Sequence, residues 1–161
     1  MLNITLDAID RRILENLQDD ARMRNVDLAG KVGLSPSPCL RRVGNLEQTG
    51  VIRGYATLLD AEAVGLPVSI FVSVTLEKQV ERALKIFEKH IRARPEVMEC
   101  YLMTGDADYL LRVVTADLAA YEKFLIGHLT RIPGVASIKS SFALKQVAYR
   151  TALPIAPEAA E

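Results

Sequence analysis

Cysteine, histidine and net charge are all scarce in this chain, and each scarcity closes off a class of function. Two cysteines among 161 residues, Cys39 and Cys100, cannot build the disulfide framework that small secreted folds rely on. Cys39 reads as a small buried hydrophobe, and Cys100 has no basic neighbour in its strand to activate it. The two histidines, His90 and His128, fall on separate predicted helices with no Cys, Asp or Glu at ligand spacing, so no metal site is expected. The formal net charge is zero, which argues against a generic polyanion binder. No apolar run approaches the ~20 residues that span a bilayer, and the N-terminus lacks the basic-then-apolar layout of a signal peptide. A reducing cytoplasm is the expected compartment. A Gly-rich phosphate loop, a nucleophile elbow and a histidine–carboxylate constellation are all missing, so neither a cofactor nor catalysis is expected.

What is present is a core-forming composition, 50% apolar and 25% charged, in a length that suits one large domain or two small ones. The charge is unevenly spread. Six basic side chains lie between Arg22 and Arg53 (Arg22, Arg24, Lys31, Arg41, Arg42, Arg53) against Asp27 and Glu47, a local excess of four positive charges and a modest electrostatic pointer to a phosphate partner.

The same third of the chain reads as three short helices. Asp7 is a helix N-cap with Asp10 at N3, a variant capping box, and Leu6 is placed to staple the helix start. Ile9, Ile13, Leu14 and Leu17 follow on one face. Asn25 reads as the next N-cap, with Val26, Leu28, Ala29 and Val32 inward and Gly33 as the breaker. Ser35 then caps a third helix with Pro36 at N1, where a missing N–H costs nothing; Pro38 still lies in the first turn. Two helices joined through Gly33-Leu34-Ser35 have the spacing of a helix-turn-helix. On the third helix, at about 100° per residue, Cys39, Val43 and Leu46 form the buried stripe. The opposite face carries Ser37, Arg41, Gly44 and Gln48, flanked by Leu40 and Asn45. Small and polar residues with one arginine and an exposed leucine can lie in the major groove of double-stranded DNA and touch base edges or thymine methyls. Arg42, near the edge of the stripe, is placed to reach a phosphate or an acidic neighbour. The first-turn N–H groups after Ser35 also point toward a phosphate or base edge. A plain three-helix bundle with a solvated polar face would give the same wheel.

Val51–Leu59 alternates and predicts a strand; Asp60 to Pro67 has turn residues and no period. The expected organisation is a helix-turn-helix domain over 1–52, winged-helix-like, a strand and linker over 53–66, a second domain over 67–150 and a loose tail over 151–161. The second domain reads strand–helix–strand–strand–helix–strand, the ferredoxin-like βαββαβ order of an α+β fold, with its last strand over Val135–Val147. One sheet face is then left bare, carrying Phe71 and Tyr101, and a partner subunit is expected to cover it. Between the middle strands, Thr104-Gly105-Asp106-Ala107-Asp108-Tyr109, after Met103, combines a glycine turn with two carboxylates. Exposed N–H groups there can hold a carboxylate and an aspartate can pair with an ammonium, the chemistry of a free amino acid. A plain hairpin turn uses the same residues. Ser140 and Ser141 interrupt the last strand and could offer hydroxyls to a ligand, or simply face water. Two other classes stay open on these residues: a small amino-acid-metabolising enzyme, and an assembly module without a ligand.

The runs Leu6-Asp7-x-x-Asp10, Asn25-Val26-Asp27-Leu28-Ala29, Val32 to Val43 (VGLSPSPCLRRV), Leu46-Glu47 and Gly50-Val51-Ile52-x-Gly54-Tyr55 closely resemble the leucine-responsive regulatory protein (Lrp/AsnC) family of transcription regulators. So do Glu99-Cys100, Gly105-Asp106-x-Asp108-Tyr109-Leu110-Leu111, Leu129-x-x-Ile132-Pro133-Gly134-Val135 and Lys139-Ser140-Ser141, together covering about residues 5–150. The resemblance implies a homodimer through the sheet domain, often assembled into octamers, with an amino-acid effector bound between neighbouring dimers. It also makes the Gly105–Tyr109 loop the expected effector site. Where family members often carry a further basic residue, this chain has Gly44-Asn45, which shifts DNA affinity toward Arg41, Arg42 and other basic side chains.

Overall fold

A computed structural model describes residues 5–155 and divides them into two compact units. The first comprises the described residues up to Thr57 together with the segment from Ala148; the second is Leu58–Val147.

The first unit is built on α1 (Ala8–Asp19), α2 (Asn25–Val32) and α3 (Pro36–Gln48). The capping box of α1 forms as expected, Asp7 accepting from the Asp10 N–H and Asp10 from that of Asp7. The start of α2 is corrected: Arg24 occupies the cap without a side-chain bond, and Asn25 instead donates to the Pro36 carbonyl at 2.8 Å, tying the starts of α2 and α3 together. Gly33 ends α2 in the left-handed region, φ +75°, where a side chain would be strained. Three helices this short are held by packing rather than by their own hydrogen bonds. Ile13, Leu28, Ala29, Val32, Cys39 and Leu46 form the shared core, with Leu6 and Val43 at its margin.

The strand expected over Val51–Leu59 does not form. Val51 and Ile52 turn into the helical core, the Ile52 N–H donates to the Leu46 carbonyl, and among the described residues no strand pairs with the rest. The tail also differs. Leu153 exchanges two hydrogen bonds with the Gln18 amide, at 2.6 and 3.1 Å, and Ile155 packs on the helical core; residues 156–161 of the expected loose tail lie outside the described residues. The division between units falls at Thr57/Leu58, inside the segment expected to link them.

The second unit is β1 (Val68–Leu76), α4 (Glu81–Arg92), β2 (Val97–Leu102), β3 (Tyr109–Thr115), α5 (Leu118–Gly127), a 3-10 turn (Leu129–Arg131) and β4 (Val135–Phe142). The sheet order is β2-β3-β1-β4, antiparallel throughout, which is the expected βαββαβ fold. Alternation decides the layers: Ile70, Val72 and Val74 of β1 and Leu111 and Val113 of β3 face α4 and α5 and meet Phe87, Ile91 and Phe124 in one core. β4 stops at Phe142, short of the expected Val147, because its last paired position is Ile70↔Phe142 and β1 begins only two residues before that.

Candidate functional sites

On α3, Ser35, Ser37, Leu40, Arg41 and Asn45 are exposed, with Pro38 half-buried. Leu40 is 61% exposed, an apolar side chain facing water with no place in the core. The two adjacent arginines have opposite fates. Arg42 bridges Asp7 at 2.7 Å and Asp10 at 2.8 Å, locking α3 against the capping box of α1. The backbone N–H of Asp10 holds the Asp7 carboxyl below its ordinary value, and the Arg42 guanidinium adds to this against the opposing cost of burial. Arg42 therefore takes the acidic neighbour, the alternative to phosphate left open by its place at the stripe edge. Arg41, about 100° round the helix, is exposed and forms no ion pair among the described residues.

The hairpin between β2 and β3 separates the expected effector residues into two layers. Met103, Thr104, Gly105 and Asp106 form an exposed rim, with Gly105 at φ +121°, a conformation that favours glycine. Beneath the rim, Asp108 is only 4% exposed. One carboxylate oxygen accepts the Leu76 N–H at 2.6 Å and the other the Gln79 side-chain N–H at 2.5 Å. Its own N–H donates to the Val74 carbonyl. Asp108 is thus the clamp that fastens the end of β1 to the hairpin. Tyr109 is buried too, its ring stacked on Phe87 at 4.4 Å and its hydroxyl donating to Glu88 at 3.1 Å; burial, then that carboxylate, pushes the phenol well above its ordinary value.

The two serines part company as well. Ser140 pairs with Val72 on the helix side of the sheet and meets the Tyr121 hydroxyl at 2.5 Å. Ser141 pairs with Phe71 on the bare face. Val72 lies four residues before Leu76, so Ser140 sits about 13 Å along the sheet from the Asp108 clamp at the usual strand rise. A single chain does not bring the serines to the hairpin rim.

The bare face carries exposed Phe71 and Tyr101 and a structured ion pair, Arg112 to Glu99 at 2.7 Å with the Tyr101 hydroxyl on the other Glu99 oxygen at 3.0 Å. The Arg112 hydrogen bond holds the Glu99 carboxyl below its ordinary value. Sequence reasoning missed this pair, although an arginine inside the apolar run of β3 was the available signal. It also missed Gln79, which lies in an aperiodic turn where no pattern marks it. Cys100, on the helix side of the edge strand, is pushed up to about 11, chiefly by burial.

Comparison with known proteins adds independent findings. A family model described as winged helix-turn-helix DNA-binding matches residues 6–53, and one described as Lrp/AsnC ligand binding domain matches residues 69–153. The chain is 56% identical over 150 residues to a Bkd operon transcriptional regulator of Pseudomonas aeruginosa, covering 93% of this chain and 98% of that one. Among solved structures it resembles a transcriptional regulator of Neisseria meningitidis in complex with L-methionine (TM-score 0.88, 41% identity, 93% of this chain and 97% of that one). It also resembles an AsnC family regulator of Agrobacterium tumefaciens (TM-score 0.86, 44% identity, 92% and 96%).

Proposed function

Because the chain belongs to the Lrp/AsnC family of transcription regulators, we propose that its α3 reads operator DNA through Arg41 while the Gly105 rim takes a small amino acid that modulates binding. The observation that carries the DNA half is the contrast on α3. Arg42 is spent on Asp7 and Asp10, which leaves Arg41, beside exposed Ser37, Leu40 and Asn45, free for a base edge or phosphate. Ser35 and Pro38 set the first turn, whose N–H groups point the same way.

For the effector, Met103, Thr104, Gly105 and Asp106 present backbone donors and one exposed carboxylate, the pair of partners that an α-carboxylate and ammonium need. L-methionine in the Neisseria relative supports an amino acid as the ligand class. Of the two aspartates of the turn, Asp106 is the ammonium partner, since both Asp108 oxygens are already engaged. Asp108 and Tyr109 then serve by holding the rim in shape. Ser140 and Ser141 can contribute only from a neighbouring subunit, which fits an effector bound between dimers. The bare face with Phe71 and Tyr101 is read as the homodimer surface, higher even-numbered assemblies such as octamers following from it. The chain acts in the cytoplasm, where its DNA is, as a regulator and not an enzyme.

The test is a thermal-shift panel of the twenty amino acids on the full-length protein, repeated on Asp106→Asn. A response to one or a few amino acids that Asp106→Asn removes is expected; no response to any overturns the effector reading. In parallel, Arg41→Ala should weaken operator binding by ~1–3 kcal/mol if Arg41 reads a base edge, or lower the salt slope by about one if it contacts phosphate only. Unchanged affinity on specific and random DNA would remove Arg41 from the interface.

A further inference from the structure

Away from the hairpin, the ends of α4 and α5 enclose a cleft of about 430 Å³, within the size range of small-molecule sites. Its floor is apolar, made of Phe124, Leu129 and Ile132, all buried. Its rim is cationic, with Lys89, Arg94 and Arg131. Among the described residues none of the three is in an ion pair, and no aspartate or glutamate lines the cleft. Arg94 is half-buried, and one of its terminal nitrogens lies 3.0 and 3.2 Å from the two ring nitrogens of His128. That contact holds the guanidinium at the mouth while leaving its other N–H groups without a protein acceptor among the described residues.

Basic residues near helix C-termini complement the helix dipole, so part of this charge has an ordinary explanation. Each helix end supplies about half a negative charge, and two ends offset roughly one of the three cations. The remainder stands unneutralised over an apolar floor. Such a site suits an anion with a hydrophobic body: the rim donates charge-assisted hydrogen bonds and the floor takes the hydrocarbon. With no acid in the lining, an ammonium group would enter without a counter-charge, which disfavours free amino acids. We propose that this cleft is a second ligand site, specific for an organic carboxylate with an apolar body and no ammonium group. It is independent of the amino-acid reading of the Gly105 rim, because it shares no residue with it.

Calorimetry on the full-length protein with hexanoate and benzoate tests the proposal, with inorganic phosphate and L-methionine as comparisons. Both carboxylates should bind more tightly than phosphate, which gains nothing from the floor. Arg94→Gln and Arg131→Gln should each weaken them about tenfold, the loss of one charge-assisted hydrogen bond, and should leave L-methionine binding as in the wild type. Arg131 is exposed, so its replacement tests the site even where Arg94→Gln disturbs folding. No binding of either carboxylate at millimolar concentration overturns the proposal, as does unaltered carboxylate binding in Arg131→Gln. Phosphate binding as tightly as hexanoate would reduce the site to a charge patch, and a fall in L-methionine affinity in Arg131→Gln would show that the two sites are not separate.

Discussion

Replacing Asp108 separates a structural clamp from a ligand contact. Its carboxylate accepts the buried Leu76 N–H at 2.6 Å and the Gln79 side-chain N–H at 2.5 Å. In Asp108→Asn the amide keeps one oxygen for Leu76, and Gln79 can flip to present its own oxygen to the new NH₂. Only the charge assistance is lost, so the cost should be about 1 kcal/mol, or about 4–8 °C in melting temperature for a domain of this size. Asp108→Ala leaves the Leu76 N–H buried without an acceptor, whereas exposed Gln79 recovers a bond to water. The cost there should be about 3 kcal/mol, the upper range for a lost charged hydrogen bond and a stranded donor. Urea unfolding of the full-length protein followed by circular dichroism gives both values, with calorimetry on the same samples for effector affinity. The order wild type, Asn, Ala in stability is expected, with effector affinity in Asp108→Asn within a few-fold of wild type. Wild-type stability in Asp108→Asn together with abolished effector binding would refute the clamp and return Asp108 to the ligand.

Arg42→Ala should destabilise the helical unit by about 1 kcal/mol, no more, because the Arg42–Asp7 pair is partly exposed and screened. Asp7 has a folded value below its ordinary 3.8, so its contribution is present above about pH 4 and is lost as pH falls through the lower folded value. Acid unfolding monitored by circular dichroism should therefore show a shallower pH dependence in Arg42→Ala than in wild type. Gly105→Val, at φ +121°, should cost about 1 kcal/mol and distort the rim; calorimetry should show loss of effector binding with operator binding retained. Phe71→Asp places a charge on the bare face and should lower the oligomeric state by light scattering; an unchanged mass would locate the subunit interface elsewhere.

The α+β order was legible because periodicity reports which side of an element is buried. The 3.6-residue stripes of α1 to α3 and the strict alternation of β1 each name their own core face, whatever the partner. The exception is Val26, expected inward at the start of α2 but 63% exposed, because the first turn of that helix reaches past the core formed by Leu28, Ala29 and Val32. Breakers were legible for a local reason, since Gly33 and Pro36 act on their own backbone. Features that depend on an unseen neighbour were not. Val51–Leu59 has a strand pattern but finds no strand to pair with among the described residues, and β4 ends where β1 runs out, not where its own apolar run ends. The tail packs because Gln18, far away in sequence, offers both a donor and an acceptor to Leu153.

The site residues divide along the same line. Local chemistry alone determined that α3 has an exposed polar face, that Gly105 permits an unusual turn, and that carboxylates flank it. Tertiary structure decided which of two neighbouring groups is free to act. Arg41 and Arg42 are the same residue type side by side, as are Ser140 and Ser141, and Asp106 and Asp108 differ by two positions. One member of each pair meets a partner across the fold: Arg42 the α1 capping box, Ser140 the Tyr121 hydroxyl, Asp108 the Leu76 N–H. Hydrogen-bond partners that are distant in the chain leave no mark on the local sequence pattern, so only the folded backbone could assign them.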